Sequence, residues 1–319
     1  MGRQRLIRTC SALSFAAALL VGCDLLDPNV NASLKPQARP AAPASAAPVV
    51  ARPTSERSAS LRSYFAQVEQ AQLSQGLLRQ DGGGTDTPFN ADTLVRNFER
   101  IAFFNEYDGN FAGVGGASPL NRWEGPVRME VLFGDSIPPS QQRTDTQAVA
   151  SYAKRLSRVT GHPVSMNGRP NFIVVIAGED DREEMLAKAA ARVPGISKSS
   201  LATVREMPRD TYCLVAAYAT GADPDVYTAA LAIVRAENPD LLRLSCIHEE
   251  LAQGMGLSND SPDARPSIFN DDDEFALLTR HDELLLRMLY DPRLEPGMTA
   301  AQAAPIVRTI ARELTGGPQ

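Results

Sequence analysis

One short polar stretch has the composition and spacing of a site that activates water. Glu249 and Gln253 are four residues apart, so a helix would place both side chains on one face. Glu250 follows the first of them, where a carboxylate can act as a general base. Gly256 would end the helix, and the chain could then bring Asn259 back toward the pair. The spacing therefore predicts a polar centre made of one helix face and the turn after it.

This stretch resembles the active-site helix of metzincin metalloproteases, in which three histidines bind zinc around a catalytic glutamate. The resemblance implies that Glu250 is the catalytic base if the protein is active, and that Gly256 and Asp260 support the turn. The three ligand positions are degenerate, because they hold Glu249, Gln253 and Asn259 instead of histidine.

Zinc in the usual geometry is not expected. His248 precedes Glu249 as in an HExxH motif, but position i+4 from it is Ala252, which has no donor. His162 and His281 are the other histidines, and we expect His281 at the surface, in the first turn of a helix. The site is therefore predicted to hold no metal or other cofactor.

Two alternatives remain for the three degenerate positions. The favoured one is a hydrogen-bonded cluster, in which Gln253 and Asn259 donate to Glu249 or Glu250. The other is a hard cation such as Ca²⁺, because glutamate, glutamine and asparagine all supply oxygen ligands.

The chain after this stretch extends the resemblance. Ser267-Ile268-Phe269 falls where metzincins have their Met-turn, with Phe269 in place of methionine, and residues 278–290 look like the C-terminal helix of matrixin-type metzincins. Residues 98–298 resemble an uncharacterised family of bacterial lipoproteins, domain of unknown function 2927. Its hallmarks are Glu-Glu-Leu-x-Gln, Pro-Ser-Ile-Phe-Asn-Asp and His-Asp-Glu-Leu-Leu-Leu-Arg, and it implies no particular activity.

The first residues indicate export and lipidation. Residues 1–22 have a basic start and an apolar run that is too short for a permanent membrane span. They end in Leu-Val-Gly before Cys23, which resembles a lipobox. We expect residues 1–22 to be a lipoprotein signal peptide and Cys23 to carry the lipid. The protein would then be anchored to a bacterial membrane in the cell envelope and would face the periplasm.

Composition narrows the possible partners. Residues 1–22 contain three arginines and no acidic residue, so their removal takes the formal net charge from −6 to −9. Such an acidic chain argues against nucleic acid as a partner. In an oxidising compartment we expect Cys213 and Cys246 to form a disulfide, with two buried free thiols as the alternative.

The remaining sequence indicates a mixed fold. Residues 23–58 are a Pro/Ala/Ser-rich segment predicted to be a disordered tether, 59–88 a helical preface and linker, and 89–319 a metzincin-like domain. Alternating strand and helix patterns predict an α/β (α+β) fold, a mixed sheet with an active-site-type helix and a C-terminal helix beginning at Thr279. Residues 101–106 and 172–177 are predicted as strands, and 226–236 as an edge strand or a short helix. Asn90 is a predicted N-cap, and Thr279 and Asp282 are a predicted capping-box pair.

Three functional hypotheses follow. The favoured one is a membrane-tethered, non-catalytic binding or scaffold module, a pseudo-metalloprotease, with an unknown protein or peptide partner. The alternative is a peptidase-like hydrolase that uses Glu250 as its base with an atypical ligand set. A third is an envelope protein with an occluded cleft and a purely structural role.

Overall fold

A mixed five-stranded sheet lies at the centre of the fold. The computed structural model describes residues 54–106, 115–192, 196, 198–270 and 272–316, without the side chains of 199 and 200. The predicted signal peptide, Cys23 and nearly all of the predicted tether lie outside these residues. The strands are β1 (Arg122–Trp123), β2 (Val127–Phe133), β3 (Val164–Ser165), β4 (Phe172–Ala177), β5 (Cys213–Tyr218), β6 (Val226–Tyr227) and β7 (Ala229–Arg235).

The strand order is β3-β2-β4-β7-β5. The first four strands are parallel, and β5 runs antiparallel to β7 at one edge. Strands β1 and β6 form a separate parallel pair. The predicted mixed α/β, or α+β, fold is thus confirmed, and β5 is the strand that makes the sheet mixed.

Eight helices occur in the described residues. They are α1 (Glu56–Ser74), α2 (Ala91–Ala102), α3 (Pro139–Thr160), α4 (Arg182–Ala190), α5 (Lys198–Arg205), α6 (Asp240–Gln253), α7 (Arg280–Leu289) and α8 (Ala300–Thr315). None of them, over the part of the chain described, combines the length and hydropathy needed to cross a bilayer.

Strand β4 shows why the sheet is buried. All six of its residues are apolar and buried, because helices cover both of its faces. Val174 and Ile176 belong to the larger core, which includes residues of α2, α3, α6, α7 and α8. Ile173 and Val175 face the opposite way, into a smaller core that includes residues of α4. Helix α6 carries the polar stretch and packs on the larger core, so the candidate site rests on that core.

Local capping fixes where two helices begin, as the sequence predicts. The Asn90 side chain accepts a hydrogen bond from the Thr93 N–H at the start of α2. Thr279 and Asp282 form a reciprocal capping box at the start of α7.

Three local predictions were wrong. Residues 101–106 are not a strand, because α2 continues to Ala102 and only Phe104 makes an isolated bridge. Residues 226–236 are neither an edge strand nor a helix. They form β6 and then β7, which lies between β4 and β5, where its apolar residues are covered on both faces. Helix α7 is not the last helix, because α8 follows it and packs against α2.

Helix α1, in the predicted preface, packs on the rest of the fold. It begins at Glu56, inside the predicted tether, with Ser55 as its N-cap. Phe65 is completely buried, and the Ser58 hydroxyl donates to Glu237 at 2.7 Å. Helix α1 is therefore held against the domain by the buried Phe65 side chain and by the hydrogen bond from Ser58.

The carboxylate of Asp282 joins the segment that contains Ser267 and Ile268 to α7. It is completely buried and accepts hydrogen bonds from the hydroxyls of Ser267 and Thr279 at 2.6 and 2.8 Å. It also accepts from the main-chain N–H groups of Ile268 and Thr279 at 3.1 and 2.9 Å. One charged side chain thus satisfies four donors from two separate segments.

Replacing Asp282 with alanine should leave these donors buried and unsatisfied. We expect Asp282→Ala to lower the free energy of unfolding by about 3–5 kcal/mol, measured by urea denaturation. The control is Asp263→Ala, at an exposed carboxylate, which should change it by less than about 0.5 kcal/mol. A loss below about 1 kcal/mol in Asp282→Ala would contradict the role of this carboxylate.

Candidate functional site

Helix α6 carries the polar stretch and is held at its C-terminal end by aromatic side chains. Three main-chain carbonyls of the helix and of the turn after it accept hydrogen bonds from aromatic side chains at 2.7–2.9 Å. The pairs are Tyr152 with His248, Trp123 with Gly254, and Tyr290 with Met255. These bonds limit rotation of α6 about its axis and so fix which of its side chains face inward.

Gly256 has the conformation that the turn requires. Its φ of +124° lies in a region that L side chains rarely adopt. A Cβ at this position would also lie 2.4 Å from the Asn121 carbonyl oxygen. The glycine therefore permits both the turn after α6 and the close approach of the neighbouring loop.

Gln253 and Asn259 do not form the predicted cluster. The Gln253 amide donates to the Asp260 carboxylate at 3.1 Å. The Asn259 amide donates to the main-chain carbonyls of Arg100, at 3.0 Å, and of Asp260, at 2.8 Å. In the described part of the chain neither donates to Glu249 or Glu250, so that prediction was wrong. Asn259 is used instead to attach the turn to the end of α2.

Glu249 and Glu250 are close to each other and to the disulfide. Oxygen atoms of their carboxyl groups and the Cys213 Sγ all lie within 4.8 Å of one another. Glu250 is only 4 % exposed, and its Oε2 has no hydrogen-bond partner in the described structure. Glu249 is half-buried. The two carboxyl groups therefore lie close together, and one of their oxygen atoms, Glu250 Oε2, lacks a hydrogen-bond partner.

Both carboxyl groups are electrostatically unfavourable as anions. Burial raises the pKa of Glu249 well above its usual value, and Asp260 and Glu250 raise it further. Burial likewise raises the pKa of Glu250, with added repulsion from Glu106 and Asp260. Without a compensating cation, Glu250 stays protonated to a higher pH than an ordinary glutamate, which opposes a role as general base.

The three histidines lie apart from this pair. His248 is buried, its Nδ1 accepts from the Leu278 N–H at 3.1 Å, and its ring stacks on Tyr152. Burial lowers the pKa of His248 to about 3. The His162 Nε2 contacts the Gly125 carbonyl at 2.8 Å. No histidine joins Glu249 and Glu250 in the metal-ligand cluster of the described residues.

His281 is completely buried, so its predicted surface position was wrong. Its Nε2 lies 3.1 Å from the Asn97 amide, and its ring packs edge-on against Phe89. Helix α2 and the segment that precedes α2 cover the first turn of α7. The periodicity of α7 alone does not reveal this contact.

Phe269, in the Met-turn-like position, is also completely buried. Its N–H donates to the Ser267 hydroxyl at 3.0 Å, and its carbonyl accepts from the Ser261 N–H at 2.8 Å. Phe269 thus helps to hold the segment that follows the polar stretch.

A disulfide joins the edge of the sheet to α6. Cys213 at the start of β5 is bonded to Cys246 in α6, as expected from the sequence, with a Cα–Cα distance of 5.8 Å. The bond fixes β5 beside the helix face that carries Glu249 and Glu250.

A cleft of about 390 Å³ opens between β5 and the loops that cross the end of α6. Val215 and Ala217 of β5 form one wall, and Asn121 lies among the loop residues that line it. Gln253 and Gly254 bring the end of α6 to the cleft. The volume is within the range of ligand-binding cavities in proteins.

Sequence reasoning missed several residues of this cleft. Glu106, Asp225 and Tyr227 line it, and Glu106 lies in the segment that was predicted as a strand. Burial raises the pKa of Tyr227 to about 12, so its hydroxyl stays protonated at neutral pH. No spacing within one element signals these residues, because Glu106 lies in the loop after α2, whereas Asp225 and Tyr227 lie at β6.

His248 predicts a pH-dependent stability. The unfolded chain takes up a proton at this residue near pH 6.5, and the folded chain near pH 3. The folded state therefore binds fewer protons in this window, and His248 stabilises it less as the pH falls. From pH 7 to pH 5 the loss is about 2 kcal/mol of unfolding free energy.

The test is His248→Gln, which keeps an acceptor near the Leu278 N–H and does not titrate. Urea denaturation in a chelating buffer at pH 7 and pH 5 should show a decrease about 2 kcal/mol larger in the wild type than in the variant. The glutamates near the helix titrate in both proteins, so their effect cancels in this comparison. Equal decreases would contradict a buried neutral His248.

Comparison with known proteins confirms one of the resemblances seen in the sequence, the one to domain of unknown function 2927. The family described as "Protein of unknown function (DUF2927)" matches residues 91–309, from the start of α2 into α8. No curated protein and no solved structure matches the chain. Since the family match spans more than half of the 319 residues, the chain belongs to the DUF2927 family.

Proposed function

We propose that this protein is a lipid-anchored envelope protein whose cleft binds an extended, basic peptide segment without cleaving it. The observation that carries the proposal is the outer edge of β5, which pairs with no further strand among the described residues and forms a wall of the cleft. A free strand edge offers main-chain donors and acceptors to an added strand.

The register of β5 identifies the groups that would bind the peptide. The Arg235 N–H donates to the Tyr212 carbonyl, so these opposite residues form a hydrogen-bonded pair. Pairs alternate along an antiparallel ladder, and the pairs of Val215 with Ala232 and Ala217 with Ala230 are therefore non-hydrogen-bonded. The N–H and C=O groups of Val215 and Ala217 point away from β7. No hydrogen bond to them occurs within the described residues.

Charge favours a basic ligand. Glu106 and Asp225 are the charged side chains among the described residues that line the cleft. Asp260, which accepts a hydrogen bond from the Gln253 amide, adds another acidic group close to the end of α6. A lysine or arginine side chain of an added strand would meet complementary charge there.

The site geometry supports binding over catalysis. Gln253 and Asn259, at two of the three positions where a metzincin holds zinc, are hydrogen-bonded to other groups. Without a bound cation, the raised pKa of Glu250 opposes its service as a base. Hydrolysis that depends on Glu250 remains a distinct outcome of the test below.

Peptide binding is tested with fluorescein-labelled octapeptides that carry lysine or glutamate at the central position. The full chain should bind the lysine peptides with micromolar affinity and at least tenfold more tightly than the glutamate peptides, measured by fluorescence polarisation. N-methylation of alternate peptide amides should abolish binding in one register and leave it unchanged in the other, because only every second amide faces β5.

Two protein variants test the two contacts. Val215→Pro removes an N–H that faces the cleft and not β7, so it should weaken binding at least tenfold while the sheet remains intact. Glu106→Gln should weaken lysine peptides about threefold to tenfold, whereas Glu206→Gln, at an exposed acid outside the cleft lining, should have no effect. The proposal would be overturned if the wild type bound none of the peptides. It would also be overturned if the wild type cleaved a peptide and Glu250→Gln did not.

Lipid anchoring rests on the order of basic start, apolar run and Cys23, and a disulfide suits the same oxidising compartment. In a bacterial host, labelled fatty acid should be incorporated into the wild-type protein, and the protein should sediment with membranes. Cys23→Ser should lose the fatty-acid label and the sedimentation with membranes, whereas Cys10→Ser should keep both properties. Equal labelling of wild type and Cys23→Ser would refute the anchor.

A further inference from the structure

Glu249 and Glu250 have the arrangement of a pair of oxygen ligands. Their carboxyl oxygens lie within 4.8 Å of each other. Ca²⁺ binds oxygen at about 2.3–2.6 Å, so two ligands of one ion lie at most about 5 Å apart. We propose that Glu249 and Glu250 together bind one hard divalent cation of the Ca²⁺ type, beside the Cys213–Cys246 disulfide.

The unsatisfied oxygen of Glu250 is an independent sign of a missing partner. Glu250 is 4 % exposed, and its Oε2 is buried without a hydrogen bond. A buried carboxylate oxygen without a donor or a cation is strongly disfavoured. No lysine or arginine in the described residues is ion-paired with Glu249 or Glu250. A cation between the two carboxylates would satisfy this oxygen.

The donor set selects a hard cation over a soft one. The third atom of the cluster, the Cys213 Sγ, is bonded to Cys246 and is therefore not a thiolate. The ligands that remain are carboxylate oxygens, which suit Ca²⁺ better than Zn²⁺. Nearby Glu106 and Asp260 increase the negative potential at the pair. Water would complete the coordination shell.

The pair lies on a rigid element of the fold. Glu249 is half-buried, and Glu250 is almost fully covered. The ligands come from adjacent residues of α6, which aromatic donors and the disulfide hold in place. The site is therefore formed by a fixed helix and not by a mobile loop.

The experiment is a Ca²⁺ titration of the chelator-treated full chain by calorimetry, together with thermal unfolding, in the absence of peptide. We expect one Ca²⁺ per chain with a Kd of about 10⁻⁵–10⁻³ M and a melting temperature that rises with Ca²⁺ concentration. Glu249→Gln and Glu250→Gln should each weaken binding at least tenfold. The control Asp272→Asn, in the other acidic segment of this region, should bind as the wild type does.

Folding of the variants is checked by circular dichroism without Ca²⁺. Glu250→Gln should fold, because glutamine has the same shape and removes a buried acid. No Ca²⁺ binding by the wild type, unchanged binding by both glutamine variants, or loss of binding in Asp272→Asn would overturn the proposal. This titration contains no peptide, so it tests the cation site alone, and the peptide measurements test the proposed function separately.

Discussion

The fixed orientation of α6 is the constraint on which the site depends. Tyr152, Trp123 and Tyr290 donate to main-chain carbonyls at the C-terminal end of the helix, and the disulfide attaches its middle to β5. A helix held in this way cannot rotate its acidic side chains into solvent without breaking several buried bonds. The two glutamates therefore remain close together even though their mutual repulsion and burial are unfavourable.

This constraint links the sheet to the cleft. The disulfide places the start of β5 next to Glu249, and the strand then runs along the cleft as far as the turn that leads to β6. Gly256 allows the Asn121 loop to approach from the opposite side. The free strand edge, the acidic pair and the loop wall thus have their relative positions set by α6 and the turn after it.

The sequence predicts those features that depend on short-range patterns. The buried run of β4, the N-cap at Asn90 and the capping box at Thr279 are each encoded within a few neighbouring residues, and all are confirmed. The predictions that were wrong depend on long-range packing. His281 is buried because α2 and Phe89 cover the first turn of α7.

Two further examples have the same cause. The strand β7 is central because β5 returns beside it in the antiparallel direction, and an apolar run by itself does not indicate its neighbours. Asn259 is bonded to the Arg100 carbonyl, 159 positions away, which no spacing near the polar stretch reveals. The predicted signal peptide and the lipid on Cys23 lie outside the described residues and stay predictions.

The residues that suggested a metalloprotease pattern in the sequence have structural roles at nearly every position. Gly256 is required by the approach of Asn121, Asp260 accepts from Gln253, and Phe269 fills the core. These residues need no metal or substrate to account for them. Glu250 is different, because its buried Oε2 has no partner and its charge is opposed by the groups around it. Of the residues that fit the pattern, Glu250 is thus the one whose environment packing leaves unexplained, which makes a ligand at this carboxylate the simplest physical account of it.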